Sequence, residues 1–294
     1  MGGGGTNLKV VFFGTPDYVL PILTEVHHEF VTGPGKSPIV AVVTQPPKPV
    51  GRKEILSYSP IDKWAHDHKI PCFYSANELL EANLDIEIGV LASYGEIISR
   101  DVINLFPQGI LVIHPSLLPQ YRGASPVPEA IKNGDQKTGV TILRIDEKMD
   151  HGPVVTQFKE DILSTDTSDV LRNRLFEKSA KVLVETIQPY IQGKIKLKKQ
   201  DDSKATYTKL VTKQDGFIDL TGSDPVRAER FIRAMFPWPG AWTYLPNQKR
   251  LKLLKSHVED NKLVLDEVQL EGKLPVTAKQ FVEAYPQFEP LLNQ

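Results

Sequence analysis

The sequence has a single cysteine, Cys72, and this scarcity excludes an internal disulfide or a cluster of cysteine metal ligands. One isolated thiol is typical of a protein that works in a reducing compartment. No apolar run is long enough to span a bilayer, and the net charge of −1 excludes a strong global attraction to nucleic acid. We therefore expect a cytoplasmic protein in which affinity for any polyanion comes from local patches of charge.

The amino terminus also lacks an apolar core of the kind found in signal peptides, because Met1 is followed by four glycines. We predict a flexible leader over residues 1–7. The rest of the chain, with 40% hydrophobic and 24% charged residues, has the composition of a globular protein. Its 294 residues suffice for one large domain or two ordinary ones.

Short apolar runs alternate with helical patterns through the first two thirds of the sequence. Buried strands are predicted at 8–13, 39–43, 70–73, 86–92, 110–113, 138–145 and 154–162, and helices at 60–68 and 168–192. This alternation predicts a Rossmann-like α/β domain over residues 8–193, with a doubly wound, mostly parallel sheet. The dinucleotide fingerprint GxGxxG is absent, so nucleotide binding has no support. After the first strand, Thr15 is predicted to cap a helix that begins at Pro16.

A change of composition marks the second part of the chain. Residues 194–213 carry seven lysines against two aspartates and are poorly patterned, which predicts a basic linker. Residues 214–294 then show a helix at 224–235 and short strands at 250–256, 262–270 and around 275. Short strands separated by turns are typical of a small β-barrel.

The apolar run that ends at His114 is the most informative stretch. Pro115 cannot donate to a sheet ladder, so the strand stops there and leaves His114 at its carboxyl end. In open α/β sheets ligands bind at that end. Arg122 lies in the loop that follows, a short segment that also contains Pro119, Gly123 and Pro126. The stretch predicts an active site; a structural histidine hydrogen-bonded at a strand end is the alternative.

The residue pattern of this stretch resembles the signature of the folate-dependent formyltransferases. Over residues 114–126 it reads His-Pro-Ser-Leu-Leu-Pro-x-Tyr-Arg-Gly-x-Ser-Pro. The resemblance runs from Val10 to Tyr285 and includes Pro-Trp-Pro-Gly-Ala over residues 237–241. It implies formyl transfer from 10-formyltetrahydrofolate, a co-substrate, with no permanently bound cofactor and no metal. The sequence is most similar to the family members that formylate the amino group of methionyl initiator tRNA. In these, the C-terminal domain is OB-like and binds tRNA.

The resemblance also implies roles for particular residues. His114 and Asp150, 36 positions later in a Met-Asp-His-Gly-Pro turn, match the catalytic pair of the family. A turn aspartate before glycine is the alternative for Asp150. The residues that match the folate-binding loop are Ser116, Leu117, Leu118 and Pro119. Leu117 and Leu118 are equally suited to a place in the core beneath the loop.

One catalytic position of the family is altered in this sequence. The family has an asparagine two residues before the histidine, and here Val112 occupies that position. Residues two apart on a strand face the same side, so Val112 is expected to lie beside His114, where it supplies no hydrogen-bond donor. Loss of one oxyanion donor lowers the rate on the order of 10²–10³-fold. Reduced activity is therefore expected.

A proline-rich loop over residues 44–54 contains Gly51-Arg52. This pair resembles the one that enters the tRNA acceptor stem in the family, which makes Arg52 the expected tRNA contact. Composition alone favours a solvated surface loop. We expect the protein to act as a monomer.

Two other functions remain open at this stage. Formylation of an amino sugar nucleotide uses similar motifs, including the one at 237–241. A folate- or tRNA-binding protein with little activity is the second alternative, and Val112 is its motivation. The basic loop and the lysine-rich segment favour tRNA, since an enzyme acting on a sugar needs no long cationic track.

Overall fold

Fully buried β-branched and aromatic residues build the first strand, Val10–Gly14, and set the character of the sheet around it. The computed structural model describes residues 8–50 and 54–288. In chain order the strands and helices are β1 (Val10–Gly14), α1 (Leu20–Phe30), β2 (Ile39–Val43), β3 (Lys48–Val50), β4 (Ile55–Ser57), α2 (Pro60–His68), β5 (Cys72–Phe73), β6 (Ile88–Ala92), α3 (Arg100–Ile103), β7 (Ile110–His114), β8 (Arg122–Gly123), α4 (Pro126–Asn133), β9 (Lys137–Arg144), β10 (Val154–Asp161), α5 (Ser168–Ile191), β11 (Tyr207–Thr208), α6 (Pro225–Met235), β12 (Ala241–Tyr244), β13 (Arg250–Glu259), β14 (Lys262–Leu270), β15 (Val276–Thr277) and α7 (Ala278–Ala284).

The principal sheet has seven strands in the order β10-β9-β7-β6-β1-β2-β5. The pairs β1–β2, β1–β6, β2–β5 and β6–β7 are parallel, whereas β9 runs antiparallel to β7. The chain extends from β1 to one side through β2 and β5, and then crosses to the other side through β6 and β7. The strand order therefore reverses between β1 and β6, where open α/β sheets bind ligands beyond the carboxyl ends of the strands. The predicted doubly wound, mostly parallel sheet is confirmed.

The prediction for Thr15 is wrong. Pro16 occupies the cap position of a short 3₁₀ helix, Asp17–Val19, and no side chain caps it. The hydroxyl of Thr15 instead accepts a hydrogen bond from the backbone N–H of Gln45, at 3.2 Å. Pro16 occupies the cap position and not the first helical position. The Thr15 side chain therefore does not cap the helix and instead hydrogen-bonds to the segment that follows β2.

The C-terminal part forms a small antiparallel sheet in the order β12-β13-β14-β15. Helices α6 and α7 pack on it, and the buried side chains include Ile232, Leu251, Leu253 and Phe281. Asp224 caps α6 by accepting from the backbone N–H of Arg227. The predicted small C-terminal β domain is confirmed.

Two compact units divide the chain, and each is discontinuous in sequence. One unit comprises residues 1–120, 139–159 and 173–205, and the other residues 121–138, 160–172 and 206–294. The sequence-based boundaries at residues 193 and 213 stay a prediction. The predicted leader, residues 1–7, and the predicted tRNA contact Arg52 lie outside the described residues. Within the described part of the chain, every helix is too short or too polar to cross a membrane.

Candidate active site

His114 ends β7 in a buried position, with 5% of its surface exposed. Its strand lies between β6 and β9, and Thr141 of β9 is its register partner. The imidazole thus lies at the carboxyl end of the sheet, one strand from the reversal point, as the strand-ending proline predicts. Burial limits its contact with water, which suits a group that moves a proton or donates to a developing charge.

Asp150 lies against this histidine, although 36 residues separate the two in sequence. The imidazole Nδ1 of His114 is 3.5 Å from Oδ2 of Asp150, and the two side chains are 6% and 17% exposed. A carboxylate at this distance orients the ring. The structure therefore brings together the two residues proposed as catalytic.

The turn that carries Asp150 is held by its own backbone and by Gln200. Asp150 has a φ of 48°, in the left-handed region. The side-chain amide of Gln200, which is 7% exposed, donates to the carbonyl oxygens of Asp150 and Gly152, each at 2.8 Å. Gln200 lies in the segment interpreted as a basic linker, and nothing local in the sequence marks it. It is a positioning residue that sequence reasoning missed.

His151, the next residue in the turn, lies between two carboxylates. Its Nδ1 is 2.6 Å from Oδ2 of Asp146, and its Nε2 is 3.3 Å from Oδ2 of Asp202. The ring thereby ties the Asp150 turn to the end of β9 on one side and to the segment after Gln200 on the other. These contacts leave the turn little freedom to move its carboxylate away from His114.

We expect Gly152→Ala to lower turnover on the order of 10²-fold, because a displaced turn misplaces Asp150. A Cβ at Gly152 would lie 1.8 Å from the carbonyl oxygen of Arg144, so the backbone must shift. Gly193→Ala is the control, since its Cβ meets nothing within 4 Å; its φ of +67° costs only ~1–2 kcal/mol. Formyl-transfer kinetics and thermal unfolding measure both variants. Normal turnover in folded Gly152→Ala would contradict this assignment.

The loop after His114 is held mainly by Thr141. The Thr141 hydroxyl donates to the carbonyl of Ser116 at 2.7 Å, and accepts from the backbone N–H of Leu118 at 3.1 Å and the amide of Gln157 at 2.7 Å. The amide of Gln157 also donates to the carbonyl of Leu118 at 3.2 Å. The peptide bond between Leu118 and Pro119 is cis. Two of the three hydrogen bonds of this hydroxyl hold the loop directly, and the third joins Gln157, which bonds the loop in turn.

The residues proposed for folate binding differ in what they expose. Ser116 is fully buried, and its hydroxyl donates to the carbonyl of Gln120 at 2.6 Å. Leu118 is 6% exposed and packs in the core, whereas Leu117 is half-buried and lies over Gly139. The loop as a folate site stays a prediction, with Leu117 and Pro119 the residues that retain accessible surface.

Val112 lies on the same strand as His114, two residues earlier, and is 9% exposed. Its register partners are Leu91 of β6 and Leu143 of β9. Together with Leu118 these residues form a small apolar cluster beside the histidine. The valine is therefore well packed, and the position provides no polar group of its own.

Polar side chains that sequence reasoning did not single out meet near the reversal point of the sheet. The amide of Gln45 donates to the carboxylate of Glu96 at 2.9 Å, and the hydroxyls of Thr44 and Ser59 are 2.8 Å apart. Thr44 and Gln45 directly follow β2, and Glu96 follows β6 after a short turn, just as Thr15 directly follows β1. Their common position after strands was the available signal.

Two buried polar residues, Tyr94 and the Arg122 of the loop after His114, have structural positions. Tyr94, which follows β6, is 1% exposed, and its hydroxyl donates to Glu96 at 3.0 Å. Burial and this hydrogen bond raise the pKa of the Tyr94 phenol. Arg122 is 2% exposed and donates to the hydroxyl of Tyr207 at 3.3 Å. Both side chains belong to the interior of their respective units.

Two sequence families match the chain: Formyl transferase over residues 8–187, and Formyl transferase, C-terminal domain, over residues 210–263. The methionyl-tRNA formyltransferase of Roseiflexus sp. (strain RS-1) is 42% identical over 244 residues, covering 80% of this chain and 73% of that protein. The corresponding protein of Roseiflexus castenholzii is 37% identical and covers 92% of this chain and 94% of its own length. This chain belongs to the methionyl-tRNA formyltransferase family.

The same fold occurs outside the methionyl-tRNA formyltransferase family. A sugar 3N-formyl transferase, crystallised in the presence of dTDP and 5-N-formyl-THF, has a TM-score of 0.65. It covers 92% of this chain and all of its own length, at 21% identity. Because both kinds of enzyme share the architecture, the fold alone does not separate them. The higher sequence identity to methionyl-tRNA formyltransferases assigns this chain to that family.

Proposed function

We propose that this protein transfers the formyl group of 10-formyltetrahydrofolate to the amino group of methionyl initiator tRNA. One observation carries the proposal: in a chain 42% identical to a methionyl-tRNA formyltransferase, His114 and Asp150 lie 3.5 Å apart at the carboxyl edge of the sheet. Their burial and pairing supply what acyl transfer to an amine requires, a donor for the oxyanion and a proton acceptor.

The reaction uses these two groups in sequence. The neutral amine attacks the formyl carbon, so that a new C–N bond forms and negative charge develops on the formyl oxygen. His114 donates a hydrogen bond to that oxyanion. Asp150, which also orients the imidazole, directly accepts the proton that the attacking nitrogen loses. Collapse of the intermediate breaks the bond to N10, and the proton passes to that nitrogen, so that tetrahydrofolate leaves neutral at N10.

The folate co-substrate is assigned to the loop over residues 116–119. The family match and the hydrogen bonds of Thr141 and Gln157, which hold the loop in one conformation, support this assignment. Leu117 supplies an apolar wall for the pterin. We assign the tRNA to the C-terminal β unit and to the cationic segments, and we place the monomeric enzyme in the cytoplasm.

The deciding experiment is a transfer assay with labelled 10-formyltetrahydrofolate and two acceptors, methionyl initiator tRNA and an amino sugar nucleotide. Label is expected on the tRNA alone. Transfer to the sugar alone would replace the proposed function by the alternative. Folate and tRNA binding without transfer to either acceptor would identify an inactive binding protein.

We expect the affinity for tRNA to fall steeply with salt, by about one power of salt concentration for each phosphate contacted. Lys204 and Lys209 already form ion pairs with Asp201 (3.4 Å) and Asp215 (2.6 Å). The slope should therefore come from Arg52 and from the remaining lysines of 194–213, which are Lys194, Lys196, Lys198, Lys199 and Lys213. Binding titrations across a salt series measure it. An affinity independent of salt would contradict an electrostatic contact.

A further inference from the structure

One face of the C-terminal sheet exposes aromatic and cationic side chains. Strand β12 pairs antiparallel with β13, so that Trp242 lies opposite Lys252 and Tyr244 opposite Arg250. The alternate residues Leu251 and Leu253 belong to the buried core. Because side chains on a strand alternate between faces, Trp242, Tyr244, Arg250 and Lys252 lie together on the outward face.

Three rings and a guanidinium pack against one another on this surface. The ring centroids of Phe217 and Trp242 are 5.0 Å apart, and those of Trp242 and Tyr244 are 5.2 Å apart. The guanidinium carbon of Arg250 lies 4.1 Å from the centroid of Trp242. We call these four residues the aromatic face. The indole N–H of Trp242 donates to the carbonyl of Lys213 at 3.1 Å, which fixes its ring at the centre.

The rings around this centre are open to solvent. Phe217 and Tyr244 are each 45% exposed, whereas Trp242 is 9% exposed. Contiguous exposed aromatic surface on a small domain is a mark of a binding site. The geometry offers two ring planes and one guanidinium plane on which a flat partner can stack.

The charge of this surface selects among flat partners. Among the described residues, neither Arg250 nor Lys252 forms an ion pair. The carboxylate of Glu271 accepts from the backbone N–H of Arg250, at 3.3 Å. A second copy of the chain would bring the same cations against each other, which is unfavourable. A polyanion that carries planar groups satisfies both the cations and the rings.

We propose that the aromatic face binds unpaired nucleotides of the RNA acceptor by base stacking. This rests on the proposed function in that the acceptor is an RNA. Unpaired bases are the fitting ligand because they can present a π-face to Phe217 or Tyr244, whereas a duplex hides its base faces. Arg250 stacks on a base plane and its charge, with that of Lys252, attracts the phosphates.

The test compares binding of a short single-stranded oligoadenylate and of a duplex RNA of equal length to the full-length protein. Tyr244→Ala and Arg250→Ala are each expected to weaken oligoadenylate binding about tenfold, with little effect on the duplex. Tyr244→Phe keeps the ring and should bind within about twofold of the parent. Lys279→Ala and Leu274→Ser, at exposed positions elsewhere in the same unit, are the charge and apolar controls.

Transfer kinetics separate this inference from the proposed function. Tyr244→Ala should raise the KM for charged tRNA and leave kcat unchanged, since the reacting atoms are untouched. Unchanged oligoadenylate affinity in both alanine variants would overturn the inference even if formyl transfer proceeds. Oligoadenylate binding that depends on Tyr244, in a protein without transferase activity, would instead overturn the proposed function. A dimer in sedimentation that Tyr244→Ala dissolves would assign the face to self-association and overturn the inference.

Discussion

Turnover of the Val112→Asn variant is expected to exceed that of the parent protein on the order of 10²-fold, because the new amide supplies a missing oxyanion donor. Val112 lies on the same strand as His114 and shares its face, which aims the amide toward the formyl oxygen. Affinity for folate should change little, since the loop is held by Thr141 and Gln157. Single-turnover transfer and a folate titration measure the two quantities.

The apolar surroundings of residue 112 determine the cost of this substitution. Leu91, Leu118 and Leu143 pack against the valine, so an asparagine without a partner would cost ~1–3 kcal/mol of folding stability. Asparagine and valine are close in volume, and the backbone should not move. Val112→Ala, which adds no donor, is the matched control and should show no gain. If Val112→Asn shows no gain while His114 is still required, another group supplies the donor.

Turnover of the His114→Ala variant is expected to fall by on the order of 10²–10⁴-fold. The imidazole both contacts Asp150 and lies at the carboxyl edge of the sheet, so its loss removes the oxyanion donor and the partner that orients Asp150. Folate affinity should persist, because the bond from the backbone N–H of Ser116 goes to the carbonyl of His114 and survives the substitution. Transfer kinetics with parallel folate titrations measure both effects.

The control for this variant is His66→Ala, whose side chain is 89% exposed in α2. It should retain the turnover of the parent protein. A His114→Ala variant that unfolds at the temperature of the parent and keeps more than about a tenth of its turnover would contradict a catalytic role for the histidine. The site would then have to be sought among the polar residues near the reversal point of the sheet.

Local patterns predicted much of the fold because they are written within single elements. The strand at 39–43 and the helix at 60–68 occur at the predicted residues. A continuous apolar run delimits the strand, and Ser59-Pro60 marks where the helix begins. Predictions that depended on geometry outside the element were less accurate. The strand predicted at 70–73 spans only Cys72–Phe73, because its length is set by pairing with β2.

The site residues were predictable where a strand-ending proline or the family resemblance marks them in the sequence. Proline after a buried run marks His114, and only the family resemblance singles out Asp150. Thr141, Gln157 and Gln200 could not be predicted in this way. Each is a polar residue whose role depends on a contact across 16 or more positions, and a single sequence carries no local trace of such a contact.

The hydrogen bonds of Gln200 also decide where the chain can be cut. A fragment that ends at residue 193, where the sequence suggests a domain boundary, would lack both bonds to the Asp150 turn. It would also lose the backbone pairing of Lys198 with Val154, at 2.8 and 2.9 Å, which covers the start of the outermost strand β10. An uncovered edge strand invites aggregation. A soluble catalytic fragment should therefore extend at least to Ala205, and residues 194–205 of the lysine-rich segment should be kept with the catalytic unit in any dissection of the protein.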